Sequence, residues 1–404
     1  MERRLISEFL TDKHTFVFFG LLLVSFTLIQ LSLENIEFVI LADEGFYLKY
    51  GTYIGDHGIR GFNKLFELYT QDPDNRYPNP LRIGFILLSV FWLKAFGYSF
   101  LSLAHLSLFS FLVFLCVSFY FSSKYFDKDT GLFYVMLLAF SPLALAMARR
   151  ALSESTIQLF VALSFWLFWS LIQARSSLKY VGFILIFSLA ILMKETVVLL
   201  SLFFVIFLLL RKLLFKKEVW LMDFLSVSVF PVLIVGFVYL CVAGLANTLQ
   251  TIEIILYSPK TNPHAIDFGQ GPWFRYIVDF MLLSPWVTLC SIGFIFYYLL
   301  SDSHQELQTF LLVFALVSFI LFNFFTKNVR YVMMLDIPMR LFAVLLLKEI
   351  VFKRVTRHPT VVLALFILGL ALLDYMSFYT LFLEQGIYDP ISHALLKSQR
   401  FIPY

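Results

Sequence analysis

Leu41-Ala42-Asp43-Glu44-Gly45-Phe46-Tyr47 sets two adjacent carboxylates just past the first long apolar run, about Thr15 to Leu33. A run of that length crosses a bilayer as a helix. Arg3, Arg4 and Lys13 precede it and no small-residue cleavage site follows, so it reads as an uncleaved anchor that starts in the cytoplasm. A carboxylate at the centre of a membrane helix costs about 2.5 to 3.5 kcal/mol, so the acidic pair marks the place where the chain leaves the hydrocarbon. Either the pair is only a boundary charge, or it does proton chemistry where water meets lipid. The remaining 357 residues decide between these readings.

Composition fixes the class. The 404 residues are 60% hydrophobic and only 14% charged, with a mean hydropathy of +0.84, against about 25% charged in a soluble domain. The net charge of +4 is spread over loops, with no basic tract interleaved with aromatics, which argues against a nucleic-acid partner. The 50 phenylalanines suit lipid contact and core filling. Cys116, Cys241 and Cys290 each fall inside an expected span, so neither a disulfide framework nor a thiolate metal cluster is indicated.

The expected fold is all-α, a polytopic membrane helix bundle of about 11 spans forming one domain over residues 1–404, with no soluble C-terminal domain. Spans are placed near 15–33, 100–121, 131–148, 155–174, 180–193, 196–210, 220–245, 284–300, 308–325, 333–348 and 360–380. A first outer loop, about 34–82, carries apolar residues at helical spacing between charges, which predicts amphipathic juxtamembrane helices. The 83–96 run is short and is expected to dip into the outer leaflet and return. A second large outer loop is placed at about 246–276. Asp336 and Arg340, four residues apart, predict an ion pair within the bundle.

Loop charge orients the bundle. The short turns on one side hold Lys124, Lys128, Arg175, Lys179, Arg211, Lys212, Lys216, Lys217, Lys348, Lys353, Arg354 and Arg357, as the positive-inside rule expects of a cytoplasmic face. Five cations break the rule. Arg149, Arg150, Lys194, Lys327 and Arg330 lie in short turns on the face that also carries Asp43 and Glu44. Any one of them reads equally as a snorkelling side chain or a local pair, such as Arg149 with Glu154 or Lys194 with Glu195. Several together suit a phosphate held at headgroup level.

The ordered set Asp43-Glu44, Pro78-Asn79-Pro80-Leu81, Phe96-Gly97, Arg149-Arg150 with Ser153-Glu154, Lys194-Glu195 and Arg330-Tyr331 resembles the GT-C class of integral-membrane glycosyltransferases. Within that class it resembles the protein O-mannosyltransferases and the lipid A aminoarabinose transferases. The resemblance spans about residues 15–350. It implies that Asp43 is the catalytic base, and that Lys194, Arg330, Tyr331 and one of Arg149 or Arg150 contact the donor phosphate. The relatives usually carry a His or Lys before a Pro-Pro pair where this chain has Tyr77-Pro78-Asn79-Pro80, so Arg82 is the candidate replacement. Glu154 stands where an Asp is more usual.

The chemistry is consistent with that resemblance. A polyprenyl-phosphate leaving group departs as a stable anion, so one carboxylate base suffices and the product is inverted. Glu44 lies about 100° around a helix from Asp43, which suits it to positioning the acceptor or pairing with a cation. His57, His264 and Asp267 are acceptor-side candidates. No cofactor is required, and a divalent cation on Asp43, Glu44 and His57 is the alternative kept open. The expected partners are a polyprenyl-phosphate-linked hexose or pentose, a glycolipid, glycan or protein acceptor, and membrane lipid. The expected location is a bacterial inner membrane with the site on the periplasmic side. A transporter or lipid flippase is the competing reading; it would place charges near mid-membrane in two related halves.

Overall fold

The computed structural model describes residues 13–34, 36–40, 42–73, 78–261, 269–302 and 304–386. Among these residues every regular element is helical. Helix α1 (Lys13–Leu33) is followed by α2 (Asp43–His57) and α3 (Gly61–Gln71), the expected pair in the first outer loop. On α3 the apolar side chains Phe62, Leu65, Phe66 and Tyr69 are buried while Asn63 and Lys64 face outward, the one-sided pattern of an amphipathic helix. Helix α4 (Ile83–Phe96) lies beside α2. The Tyr47 and Phe85 rings meet edge to face at 4.7 Å, and Gly51 gives room to Leu93. At 14 residues, or about 21 Å, α4 is shorter than a hydrocarbon core of about 30 Å.

The central bundle is α5 (Phe100–Tyr125), α8 (Glu154–Gln173) and α9 (Ser177–Met193), with α8 packed on both of the others. Polar side chains fix where two of these helices start. Ser99 Oγ accepts from Ser102 N, and Ser176 Oγ accepts from Lys179 N. Phenylalanine does much of the filling. Phe165 and Phe168 of α8 meet Phe203 and Phe204 of α10 (Leu200–Leu214) and Phe310 and Phe314 of α14 (Glu306–Phe322), with centroids as close as 4.4 Å.

Among the described residues, six helices are long and apolar enough to cross a membrane: Lys13–Leu33, Phe100–Tyr125, Glu154–Gln173, Glu195–Leu214, Leu221–Tyr257 and Pro359–Glu384. A seventh results if α6 (Lys128–Ala139) and α7 (Pro142–Ala148) count as one span bent by 62°. The expected count of 11 therefore needs the shorter apolar helices as well, and it is not established by length and composition. Several of the expected spans are interrupted close to the charged outer turns. The 131–148 span breaks at Phe140–Ser141, where Ser141 caps α7. The 333–348 span starts instead as a 3-10 helix over Val329–Leu335 that leads into α15 (Asp336–Arg354).

The second outer loop, expected at about 246–276, is helical in its first part. Helix α11 (Phe230–Thr261) runs on through residues assigned to that loop, bending at Gly244, whose φ of 77° lies in the left-handed region. Helices α12 (Arg275–Leu283) and α13 (Pro285–Leu299) follow the loop, and α16 (Pro359–Phe378) closes the described bundle.

Ion pairs fall into two sets. His14–Asp129, Lys348–Asp127, Arg175–Asp223 and Arg211–Glu306 join residues from the basic turns, while Arg150–Glu44, Arg330–Asp43 and Lys194–Glu154 join residues from the opposite set.

Candidate active site

The site is built on the first turn of α2. Asp43 and Glu44 are its first two residues, where the unpaired backbone N–H groups and the helix dipole favour negative charge. Gly45 is required there because a Cβ at that position would lie 1.8 Å from the Ile40 carbonyl oxygen. The segment entering the helix can therefore fold back over it. That fold-back lets Val39 N donate to Glu44 Oε2 at 2.8 Å.

The two carboxylates separate into different roles. Glu44 is fully buried; it accepts from Arg150 Nη2 at 2.6 Å and from Ala151 N at 3.0 Å, pinning the 149–153 turn against α2. Of the roles considered for Glu44, the structure shows pairing with a cation, and this leaves it occupied rather than poised for chemistry. Asp43 is 13% exposed and faces Arg330, Oδ2 to Nη1, at 3.4 Å.

Arg330 connects Asp43 to a second carboxylate. Its Nη1 lies 3.8 Å from Glu154 Oε1, and Lys194 Nζ lies 3.9 Å from the same oxygen. Tyr331 supplies a ring 4.0 Å from Lys194 Nζ, a cation–π contact. Burial pushes the Lys194 ammonium down to about 8, against the opposing pull of Glu154. Glu154, Gln158, Lys194, Arg330, Tyr331, Met333 and Met334 line one cleft, together with Ile157, Thr196 and Val197. Four segments distant in sequence thus bring two carboxylates and two cations together.

A buried layer supports this group. Arg82 Nη1 donates to Tyr47 OH at 2.5 Å, and Tyr47 OH shares a hydrogen bond with Ser153 Oγ at 3.0 Å. Arg82 Nε lies 3.5 Å from Glu195 Oε2, and Asn79 Nδ2 donates to Glu195 Oε1 at 2.9 Å. The Pro78-Asn79-Pro80 turn is thereby tied to the Lys194-Glu195 turn. Arg82 stands behind the cleft rather than on its wall.

The geometry places several of the expected site residues away from this cleft. Neither Arg149 nor Arg150 lines the cleft. Arg150 is engaged by Glu44, and Arg149 Nη1 donates to the Phe382 carbonyl at 3.2 Å, beyond the end of α16. The local pairs Arg149–Glu154 and Lys194–Glu195 give way to pairing of Glu154 with Lys194 and Arg330. His57 sits at the far end of α2, about 21 Å along the helix from Asp43, where it stacks on Tyr53 and bonds its carbonyl. It therefore joins neither the cleft nor a cation site with the acidic pair. Among the described residues no group of three His, Cys, Asp or Glu could hold a metal. His264 and Asp267 lie outside the described residues. Gln158 was missed. A polar residue one turn from Glu154 on an apolar span was the available signal.

The comparisons with known proteins bear out the resemblance to the GT-C glycosyltransferases at the level of fold. The profile of the family described as dolichyl-phosphate-mannose-protein mannosyltransferase matches residues 82–235. The structure is similar to that of ArnT from Cupriavidus metallidurans bound to undecaprenyl phosphate, with a TM-score of 0.58, 15% identity, and coverage of 91% of this chain and 75% of that one. The apo state of the same ArnT gives 0.51 at 14% identity, with the same coverage. The Archaeoglobus fulgidus oligosaccharyltransferase tethered to an acceptor peptide containing the NVT sequon gives 0.55 at 12% identity, covering 90% of this chain and 55% of that one. No curated protein matches the sequence.

Proposed function

We propose that this protein is an inverting glycosyltransferase that moves one monosaccharide from a polyprenyl-phosphate donor to an acceptor on the outer face of the membrane. The observation that carries the reading is Arg330, whose guanidinium stands between Asp43 and Glu154 with Lys194 on the far side of Glu154. A cleft walled by two cations, with a carboxylate base against one of them, suits displacement of a sugar from a phosphate. The undecaprenyl phosphate in the structurally similar ArnT supports the donor class.

In the reaction, an acceptor hydroxyl attacks the anomeric carbon on the face opposite the phosphate. The new C–O bond forms as the bond to the phosphate oxygen breaks, and the polyprenyl phosphate leaves with the bonding pair. Asp43 takes the hydroxyl proton. Lys194 and Arg330 stabilise the charge that builds on the phosphate, in a buried setting where such attraction is strong. Glu44 holds Arg150 and the 149–153 turn, so its part is positioning. The acceptor would be a glycolipid, glycan or protein.

The transporter reading would look for its charge near mid-bundle. The buried charged group Arg340 with Asp336 and Asp374 is satisfied by its own partners.

Transfer of labelled sugar from membranes carrying polyprenyl-phosphate sugars tests the proposal, with Asp43→Asn compared at matched abundance. The expected loss is at least about a hundredfold in rate with donor binding retained, since general-base catalysis is worth about 10² to 10⁴. Normal transfer by the Asn variant would remove Asp43 from the mechanism.

A further inference from the structure

Two buried acceptors in the cleft have no donor. Glu154 is 3% exposed and Gln158 2% exposed, yet Glu154 Oε2 and Gln158 Oε1 accept no hydrogen bond from the protein. Such an atom costs about 1 to 3 kcal/mol if left unsatisfied. The orientation of the Gln158 amide is fixed by its surroundings. Its Nε2 lies 3.4 Å from the Met333 carbonyl oxygen, which can only accept, so the nitrogen must face it and the amide oxygen is left over.

The two residues are one turn apart on α8 and so share a face. Glu154 Oε1 is already opposed by Lys194 and Arg330, so the carboxylate divides into a cation-facing oxygen and an unoccupied one. Ile157, Val197, Met333 and Met334 form the apolar remainder of the wall, against which the carbon skeleton of a ring can lie. An occupant that satisfies this wall presents hydrogen-bond donors to two acceptors and apolar surface between them. Phosphate oxygens cannot do this, because an ionised phosphate only accepts.

We infer that the wall formed by Glu154 and Gln158 seats the sugar of the donor, with Gln158 reading a sugar hydroxyl through its amide oxygen. The inference rests on the donor class proposed above and goes beyond it by separating two subsites: Lys194 and Arg330 hold the phosphate, and one α8 face reads the sugar.

The two parts are separable by binding to purified protein in nanodiscs. The probes are undecaprenyl phosphate without sugar, and mannosyl- and glucosyl-phosphoundecaprenol. The variants are Gln158→Met and Gln158→Leu, which keep the side-chain volume in a wall that already holds two methionines. Thermal unfolding confirms that each variant folds. For wild type, at least one glycosylated lipid is expected to bind more tightly than the bare lipid. Both variants are expected to lose that advantage by about three- to tenfold, the value of one neutral hydrogen bond, while binding of the bare lipid changes by less than about twofold. Equal weakening of bare and glycosylated lipids would overturn the inference, as would a wild type that gains nothing from the sugar. If wild type binds none of the three lipids, the donor class itself fails, which is a different result from either.

Discussion

At the residue scale, the cleft depends on a lysine that burial leaves only just charged. With Lys194 near 8, the charged fraction of the donor-free protein falls from about nine-tenths at pH 7 to about one-tenth at pH 9. The polyprenyl phosphate does not compensate, because a phosphate monoester completes its ionisation near pH 6. The sign is therefore definite. Affinity for undecaprenyl phosphate is expected to drop by up to about tenfold as pH rises from 7 to 9. Lys194→Arg should bind with little pH dependence over that range, since a guanidinium stays charged. A titration series by calorimetry or fluorescence checks both. The same slope in both proteins would assign the titration elsewhere.

At the element scale, the approach of the chain to α2 is what separates Asp43 from Glu44. Gly45 makes this testable, because a methyl group there would collide with the Ile40 carbonyl. Gly→Ala inside a helix normally stabilises by about 0.5 to 1 kcal/mol. Gly182, within α9 and with nothing near its missing Cβ, is the matched control. Gly182→Ala should raise the unfolding temperature slightly, whereas Gly45→Ala should lower it and reduce transfer, because Val39 N must leave Glu44. If both substitutions stabilise, the fold-back of residues 36–40 does not constrain the site.

The same element shows what the sequence could and could not disclose. The acidic pair, the misplaced outer cations and the helical spacing in 34–82 were legible because charge and period are local properties. Which cation meets which carboxylate was not. Arg149 and Arg150 are neighbours with the same charge, but the backbone of the 149–153 turn aims one at Glu44 and the other at Phe382. His57 looked close to Asp43 in number, yet one helix carries it to the opposite end. Span ends failed for a different reason. The breaks at Ser141 and Val329 are marked by local caps, Ser141 ahead of Pro142 and Asn328 accepting from Arg330 N, which hydropathy averages away.

At the scale of the whole molecule, one buried cation ties together elements from across the bundle. Arg340, 1% exposed, donates to Asp336 Oδ1 at 3.2 Å, Asp374 Oδ2 at 2.6 Å, the Leu137 carbonyl at 2.7 Å and Ser284 Oγ at 3.1 Å. Ser141 Oγ donates to Asp336 Oδ2 at 2.5 Å, which joins the α6–α7 break to the start of α15. The sequence predicted the pair with Asp336; the partner on α16 is 34 residues away and had no local sign. Removing the cation leaves two carboxylates in an apolar interior, which costs about 3 to 5 kcal/mol for a broken buried pair. Arg340→Met is therefore expected to lower the apparent unfolding temperature in detergent by many degrees, more than any single change in the cleft. Adding Asp374→Asn to Arg340→Met should recover part of the loss, because one of the two stranded charges is gone. Unfolding at the wild-type temperature for Arg340→Met would mean that water or protonation satisfies both carboxylates, and that the bundle is held by its phenylalanine packing alone.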